Sequence, residues 1–417
     1  MNIVIRNSSD KPIYEQIKEQ IKNQIITGLL KEGEKLPSIR FLAKELRISV
    51  ITTKRAYDEL EQEGFVYSVQ GKGSFVASQN EELIREQYLR KMETCLREAL
   101  HCAAILKISK NELYDMIKKS IKLDFYDPKM RMRMGMNNIL EIKGLTKSYP
   151  GFHLGPLSFA IPEGAIVGYI GENGAGKSIT IKLILGLVSP DSGEVSIFGQ
   201  KMDDDPKGIR DQLGVVFDDL HLPRDITVKE AGQICKRIYR HWNQVQFEDY
   251  LAKYNLTSNK LVKDLSRGMK MKLSLAIALS HEARLLLLDE PTSGLDPVVR
   301  EELLDILLEF IQDERRSVFI SSHILSDLEK VADYIAFIHE GQLIFLENKD
   351  LLQDEYVLYS CDSQAAKQID PEAIIGRRKN QFGEKLLLRR SFVPQQLELE
   401  RPSIEDIMLF YIKGEKR

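Results

Sequence analysis

The chain has 417 residues, of which 43% are hydrophobic and 29% are charged, as in an ordinary soluble globular protein. At about 150 residues per domain, this length predicts two or three domains. The net charge of −3 conceals an asymmetry, because residues 1–135 are mildly basic and the remainder is acidic. No stretch approaches the ~18 apolar residues of a membrane span, and no signal peptide opens the sequence. We therefore expect any membrane role to come through a partner.

The four cysteines have neither the spacing of a metal site nor that of a disulfide framework. They are Cys95, Cys102, Cys235 and Cys361. We expect them to be buried free thiols in a reducing cytosol.

Residues 1–79 predict a winged helix. Pro12 opens a helix with isoleucines at every fourth position, and that helix ends at Gly28. A short helix over 38–46 follows, and a longer one begins after Ser49, the predicted N-cap. A Gly-Lys-Gly turn between two β-rich runs then predicts a hairpin. Helix–turn–helix followed by a hairpin is the order of elements in a winged helix.

Hydroxyls and cations are concentrated where the third helix begins and at the hairpin tip. Such groups can enter a major groove or hold phosphates. The alternative is that they are ordinary solvated surface residues. The candidate DNA-binding residues are Arg40, Ser49, Thr52, Thr53, Lys54, Arg55 and Lys72.

Residues 10–77 closely resemble the DNA-binding domain of GntR-type transcription regulators. The resemblance rests on PIYEQIKEQIKNQIITGLLKEGEKLPSIRFLAKEL and on TTKRAYDELEQEGFVYSVQGKGSFVA. It implies dimers on two-fold operators. In that family, operator contacts come from the residues that match Arg40, Thr52, Lys54, Arg55 and Lys72.

The segment after the wing predicts two helices over 80–127. An apolar stripe runs along the first helix, and SKNE at 109–112 is a capping box for the second. A pair this small cannot bury a core alone, so we expect a dimerisation segment. It resembles the short tail of the YtrA-like branch of these regulators. A methionine-rich linker is predicted over 128–138.

Residues 166–183 contain the strongest motif of the chain, an apolar strand followed by a glycine-rich loop and a helix. Gly171, Gly176, Lys177 and Ser178 have G-x-x-x-x-G-K-S spacing, which is typical of a phosphate-binding P-loop. Backbone N–H groups at a helix N-terminus attract phosphates, Lys177 should pair with them, and the Ser178 hydroxyl should bind Mg²⁺. The alternative is a plain glycine-rich turn.

Three further signals follow the P-loop. LSRGM at 265–269 precedes a helix, and LLLLDE at 285–290 is a buried strand that ends in two carboxylates. A second buried strand, SVFISSH, ends at His323. Asp289 after such a strand can complete a Mg²⁺ site beside the P-loop, and Glu290 can polarise the attacking water.

Together these motifs resemble the nucleotide-binding domain of ABC-type ATPases, over a predicted domain at 139–355. The resemblance implies catalytic roles for Lys177, Glu290 and His323, and Mg²⁺ binding by Ser178 and Asp289. It also implies an ATP sandwich, in which two chains pair and the signature of one, LSRGM at 265–269, faces the ATP held by the other. The residues that match its ATP contacts are Tyr149, Gly171, Asn173, Gly174, Gly176, Lys177, Ser178, Ile179, Ser266 and Gly268.

Three departures from the family pattern stand out. Ile179 replaces a second hydroxyl after the P-loop serine, and Asp218 replaces an expected glutamine. The signature has Arg267 and Met269 where the family has glycine and glutamine. We expect hydrolysis to survive, because Lys177 and the downstream carboxylates remain.

The last predicted segment, 356–417, is mixed and charged and resembles the tail of bacterial exporter ATPases. Its end predicts an amphipathic helix with Ser403 as N-cap. Its predicted apolar face is Ile404, Ile407, Met408, Tyr411 and Ile412.

The sequence thus predicts a multidomain chain: a mainly α winged helix with a β-wing, a helical dimerisation pair, and an α/β P-loop ABC ATPase. The favoured function is an ATP- and Mg²⁺-dependent subunit of an ABC exporter that carries its own transcription regulator. Its expected partners are a second copy, operator DNA and a separate permease, at the inner face of the cell membrane. The alternative is an ATP-sensing regulator without transport. ABC translation factors and DNA-repair ATPases fit poorly, since a second ATPase domain and long heptad insertions are lacking.

Overall fold

The computed structural model describes residues 3–5, 11–77, 138–202, 204–362, 365–366, 369–380, 383–393 and 399–413. The chain forms two compact units, one mainly N-terminal and one mainly C-terminal. The predicted helical pair at 80–127 lies outside the described residues, as does the predicted linker apart from Asn138.

The N-terminal elements have the predicted order. They are α1 (Ile13–Ile26), α2 (Ile39–Leu46), α3 (Val50–Gln62), β1 (Val66–Val69) and β2 (Gly73–Val76). The isoleucine stripe of α1 is buried, as its spacing predicts, with Ile17 and Ile21 fully enclosed. Ser49 caps α3, because its Oγ accepts hydrogen bonds from the backbone N–H groups of Ile51 (3.1 Å) and Thr52 (3.2 Å). β1 and β2 pair antiparallel, so the winged-helix prediction is confirmed.

The C-terminal unit begins with an antiparallel sheet in the order β4-β3-β6-β7. Its strands are β3 (Asn138–Tyr149), β4 (Phe152–Pro162), β6 (Ser192–Ile197) and β7 (Gln200–Lys201). β3 and β4 precede the P-loop in the sequence, and β6 and β7 follow it. β3 starts at Asn138, inside the range predicted as linker.

A six-stranded sheet forms the centre of this unit, in the order β12-β11-β5-β10-β9-β8. All neighbours are parallel except β12, which runs antiparallel to β11. Residues of β5, β9 and β10 are buried along their whole length, which explains their continuous apolar sequences. The strands are β5 (Ile166–Ile170), β8 (Leu213–Val216), β9 (Leu285–Asp289), β10 (Ser317–Ser322), β11 (Tyr334–His339) and β12 (Gln342–Asn348).

Helices connect these strands. Thr227 and Glu230 form a capping box where α6 begins, and Asp296 caps α9 through hydrogen bonds from two backbone N–H groups. The helices are α4 (Lys177–Ile184), α5 (Pro206–Arg210), α6 (Val228–Ile238), α7 (Gln244–Lys253), α8 (Arg267–Leu279), α9 (Pro297–Phe310), α10 (Leu325–Val331) and α11 (Lys349–Glu355).

The C-terminal segment contains a small sheet that the sequence pattern did not predict. β13 (Tyr356–Cys361), β14 (Ile374–Asn380) and β15 (Gly383–Arg389) form an antiparallel sheet with β15 in the centre, and α12 (Ile404–Lys413) follows. The predicted cap is confirmed, since Ser403 Oγ accepts a hydrogen bond from the Asp406 N–H at 3.0 Å. Of the predicted apolar face of α12, Ile404 and Ile407 are buried, whereas Met408, Tyr411 and Ile412 are half-buried. Phe410, which was not predicted, is also buried.

The described cysteines are free thiols. Cys235 is buried and Cys361 half-buried, whereas Cys95 and Cys102 lie outside the described residues. Burial raises the pKa of Cys235 to about 11, so this thiol stays protonated near neutral pH. Among the described helices, none has the length and apolar character that a membrane span needs.

Candidate active site

The predicted catalytic groups meet at one edge of the central sheet. In the parallel register, Ser322 of β10 lies beside Ile170 of β5, and Ser321 lies beside Asp289 of β9. The carboxyl ends of the three strands are therefore level with one another. The P-loop, Glu290 and His323 each begin within one residue of these ends, so the fold itself brings them together.

Lys177, the first residue of α4, points into this edge. Its side chain is only 6% exposed. Its Nζ donates to the carbonyl oxygens of Gly171 (2.7 Å) and Glu172 (3.2 Å). The same Nζ lies 3.2 Å from Oε1 of Glu290. The buried Lys177 ammonium thus contacts both the P-loop backbone and the Glu290 carboxylate.

Two P-loop positions admit only glycine. Gly176 precedes α4 with φ of 111°, which strains any side chain, and a Cβ there would come within 2.5 Å of Leu154. A Cβ on Gly171 would come within 2.4 Å of the Ile338 carbonyl oxygen. The loop therefore keeps a bare backbone close to the place where α4 begins.

The two carboxylates at the end of β9 have different partners. Asp289 is 4% exposed and accepts a hydrogen bond from Ser321 Oγ at 2.7 Å. Glu290 has a positive φ of 51°, and its carboxylate lies 2.6 Å from Nδ1 of His323. Strain of this kind in a non-glycine residue is frequent at functional sites. Asp289 is thus fixed by the sheet, whereas Glu290 is held between Lys177 and His323.

Ser321 was not predicted and contacts both acidic residues, Asp289 through its carboxylate and Glu290 through its backbone N–H. Besides its bond to Asp289, its Oγ accepts from the backbone N–H of Glu290 at 2.9 Å. Its carbonyl oxygen accepts from the same N–H at 3.2 Å. The only signal in the sequence was the pair of serines before His323, which looks like ordinary strand sequence.

A cleft of about 310 Å³ opens beside these groups. Met408, on α12, lines it together with the P-loop and His323, although the sequence predicted only an amphipathic helix there. Tyr149, Ser266 and Gly268 are not among the described residues that line this cleft. Its lining residues are Gly171, Glu172, Asn173, His323, Leu325 and Met408.

Tyr149 and the signature lie elsewhere in the unit. Tyr149 ends β3, is 40% exposed, and has the Lys147 ammonium 5.9 Å from its ring centroid. Ser266 is exposed and caps α8, since its Oγ accepts from the Met269 N–H at 3.3 Å. Because Ser266 is exposed, a second molecule can contact it.

Thr180 does not replace the hydroxyl that is missing at Ile179. Its Oγ1 is fully buried, donates to the Gly176 carbonyl at 3.0 Å and lies 3.1 Å from the Tyr169 hydroxyl. Ile179 packs against the apolar core. The position after Ser178 therefore offers no polar side chain to a phosphate.

The candidate DNA-binding residues lie on the predicted elements: Arg40 on α2, Ser49 before α3, Thr52, Thr53, Lys54 and Arg55 on α3, and Lys72 in the hairpin turn. Lys54 and Lys72 are exposed. Arg55 is engaged within its own domain. Its guanidinium lies 3.6 Å from the centroid of the Tyr14 ring, and its Nε donates to Glu59 at 3.2 Å.

The residues at the sheet edge fit a nucleotide and a magnesium ion. A buried lysine on a bare glycine loop at a helix N-terminus is the donor set that polyphosphates require. Among the described residues, no group of three or more His, Cys, Asp or Glu side chains could hold a metal. Mg²⁺ bound to a nucleotide needs only one or two protein ligands plus phosphate oxygens and water, and Ser178 with Asp289 meets that need.

Comparison with known families agrees with this geometry. The family model described as "ABC transporter" matches residues 154–293. The model for "Bacterial regulatory proteins, gntR family" matches residues 13–76.

Curated relatives cover the C-terminal unit. The chain is 35% identical over 212 residues to the bacitracin transport ATP-binding protein BcrA of Bacillus licheniformis, covering 50% of this chain and 69% of that protein. It is 32% identical over 272 residues to the ABC transporter ATP-binding protein YhcH of Bacillus subtilis (63% and 88%). It is 35% identical over 215 residues to the lantibiotic transport ATP-binding protein SrtF of Streptococcus pyogenes (51% and 92%). The chain therefore belongs to the family of ABC transporter ATP-binding proteins; it is an ABC-type ATPase joined to a GntR-family winged helix.

Proposed function

We propose that the chain is the ATP-hydrolysing subunit of a bacterial ABC exporter and also binds operator DNA through its winged helix. The convergence of Lys177, Asp289, Glu290 and His323 at one sheet edge supports the ATPase role most strongly. The direction of transport rests on the resemblance of the C-terminal tail to exporter ATPases. It is also supported by the relatives named for bacitracin and lantibiotic transport.

Each residue at the edge has a distinct proposed role. Lys177 neutralises the β- and γ-phosphates, while Ser178 and Asp289 hold Mg²⁺, whose charge offsets that of the phosphates when it is bound. Glu290 orients and polarises the attacking water, because its carboxylate is already held at the strand end. His323 steadies that carboxylate through the 2.6 Å contact.

The ion pair between Lys177 and Glu290 implies a competition. Phosphates that bind the P-loop attract the Lys177 ammonium, which now lies 3.2 Å from Glu290. Movement of Lys177 toward them leaves Glu290 paired with His323 alone and makes its Oε1 available to water. Nucleotide binding would thereby free the Glu290 carboxylate to act as the proposed base.

The exposed Ser266 supports a site shared between two chains. We propose a homodimer in which Ser266 and Gly268 of one chain meet the nucleotide on the P-loop of the other. Tyr149, exposed at the end of β3, would stack on the adenine, and Asn173, Gly174 and the backbone N–H of Ile179 would line the phosphates. A separate permease would hold this dimer at the inner face of the membrane.

The ATPase and transport roles can be tested together. The chain expressed in its native host should copurify from membranes with a multi-span permease, and the complex should hydrolyse ATP only with Mg²⁺. EDTA should stop turnover, and added Mg²⁺ should restore it. An active chain recovered without any membrane partner would contradict the transport role while leaving the ATPase role intact.

The match to the gntR family supports the DNA-binding role. We propose that the exposed Lys54 and Lys72 contact operator DNA, as the half-buried Arg40 also would. Ser49, Thr52 and Thr53 are buried, so their proposed part is to hold the start of α3 in place for that contact. Affinity for promoter DNA of its own operon should fall with rising salt. Measuring this affinity with and without ATP separates two possibilities: equal values favour a regulator independent of ATP, whereas a difference favours ATP sensing.

A further inference from the structure

Two departures from the family pattern, Asp218 and Arg267, lie in the same cleft. The cleft has a volume of about 330 Å³ and is distinct in its lining from the one beside the P-loop. Asp218 and Asp219 follow β8, whereas Arg267 and Lys270 belong to the first turn of α8. Two carboxylates thus share a cleft with two cations.

The two cations lie in the first turn of α8, where a positive side chain is unfavourable. A helix N-terminus carries a partial positive charge and favours acidic side chains in its first turn. The first turn of α8 contains no acidic residue. Arg267 and Lys270 therefore add positive charge to a helix N-terminus, and Asp218 and Asp219 are the carboxylates that line the same cleft. The family pattern, with glycine and glutamine at positions 267 and 218, is uncharged at both.

The guanidinium of Arg267 also lies directly against the loop that follows Glu290. A Cβ placed on Gly294 would come within 2.6 Å of an Arg267 nitrogen and 2.9 Å of its Cζ. The Arg267 side chain therefore packs on the backbone of Gly294. It links the signature to the SGLD loop at 293–296.

We propose that Arg267 is a positioning residue that fixes the signature and the SGLD loop relative to each other, with Asp218 as its counter-charge. Ser266 and Gly268 flank Arg267, so an Arg267 side chain packed on Gly294 would restrain the backbone that carries these two residues. This inference rests on the proposed two-chain site, because the signature acts there on the ATP held by the partner. Arg267 and Asp218 replace an uncharged pair with a charged pair.

A double-mutant cycle tests the coupling of the two residues. Arg267→Met should lower kcat for ATP about tenfold and leave ATP binding to the P-loop within about twofold. If Asp218 acts through Arg267, Asp218→Asn should lower kcat, and the double variant should be no slower than Arg267→Met alone. Multiplicative effects would overturn the proposal, since they would mean that Asp218 acts separately, for example on the metal ion.

Two controls test whether Arg267→Met loses activity because the chain is less well folded. Lys272→Met removes a cation from the same helix, where Lys272 pairs with Glu302, and should leave kcat unchanged. The Arg267→Met chain should keep its Tm within about 2 °C of the native value. A parallel fall in Tm and kcat for Arg267→Met would overturn a positioning role in favour of a purely structural one.

Mixed dimers show on which chain Arg267 acts. A Lys177→Ala chain has an intact signature, and an Arg267→Met chain has an intact P-loop. Mixing the two should restore ATPase activity above that of either variant, because one composite site is then complete. No recovery would overturn the proposal. A native chain without ATPase activity would instead contradict the proposed function, so the two failures can be distinguished.

Discussion

The sheet edge at the P-loop and the start of α3 in the winged helix contain comparable numbers of predicted functional residues, but they differ in what those residues touch. At the sheet edge, Glu290 contacts Lys177 at 3.2 Å and His323 at 2.6 Å. On α3, Arg55 contacts Tyr14 and Glu59 of its own domain. Residues at the ends of adjacent parallel strands must converge, whereas a cation on a helix surface has several possible partners.

The largest effect is expected at the ATP site when Lys177 is removed. Lys177→Ala should weaken ATP binding about 100- to 1,000-fold, because the phosphates lose a buried cation and Glu290 is left without its counter-charge. Binding of a fluorescent ATP analogue measures the change. Native-like affinity in a correctly folded Lys177→Ala chain would remove Lys177 from the site.

A smaller effect is expected at His323. His323→Ala should lower kcat about 10- to 100-fold, because Glu290 loses the contact at 2.6 Å that steadies its carboxylate. The ATP dissociation constant should change little. His241→Ala, an exposed histidine that lies outside the P-loop cleft lining, is the matched control and should retain native turnover. Equal rates in both variants would show that the His323 contact is not used.

Two neighbouring cations of α3, Lys54 and Arg55, are expected to have different roles. Lys54→Ala should weaken binding to promoter DNA about tenfold without changing stability, since Lys54 is exposed. Arg55→Ala should lower the free energy of unfolding by about 1 kcal/mol, because it loses the stack on Tyr14 and the bond to Glu59. Urea denaturation and DNA binding separate the two effects. A large DNA defect with unchanged stability in Arg55→Ala would show that Arg55 is a true DNA contact.

The smallest effect is expected at Met408. Met408→Ala should raise KM for ATP about twofold to fivefold, because the cleft loses part of an apolar wall. Ile412→Ala removes apolar volume from the same helix but does not line the cleft, and should leave KM unchanged. The same KM shift in both variants would indicate a general loosening of α12.

The sequence predicted the parts of this site that follow from local motifs and strand ends. Lys177, Asp289, Glu290 and His323 were found because a motif or a buried strand precedes each of them. Met408 was missed because it is distant in sequence and reaches the cleft through tertiary packing. Ser321 was missed because a strand serine has no distinctive pattern. Phe410 was missed because helical spacing alone does not show which side of the stripe meets β14.

The same limits apply to the fold. The central strands are continuous apolar runs next to recognisable motifs, and the helices of the winged helix have clear apolar spacing. By contrast, β14 and β15 mix charged and apolar residues, and the pairing of β13, β14 and β15 depends on long-range contacts. The joint placement of Asp218 and Arg267 could not be inferred from either departure alone. Only the packing of α8 beside β8 puts them in one cleft.

The most direct test of the proposed site compares binding and turnover in Glu290→Gln. This variant keeps the shape of the side chain and removes only its charge. ATP should bind at least as tightly as to the native chain, because Lys177 no longer has a competing carboxylate, while turnover should fall about 100- to 10,000-fold. Native turnover in Glu290→Gln would contradict the assignment of Glu290 as the base.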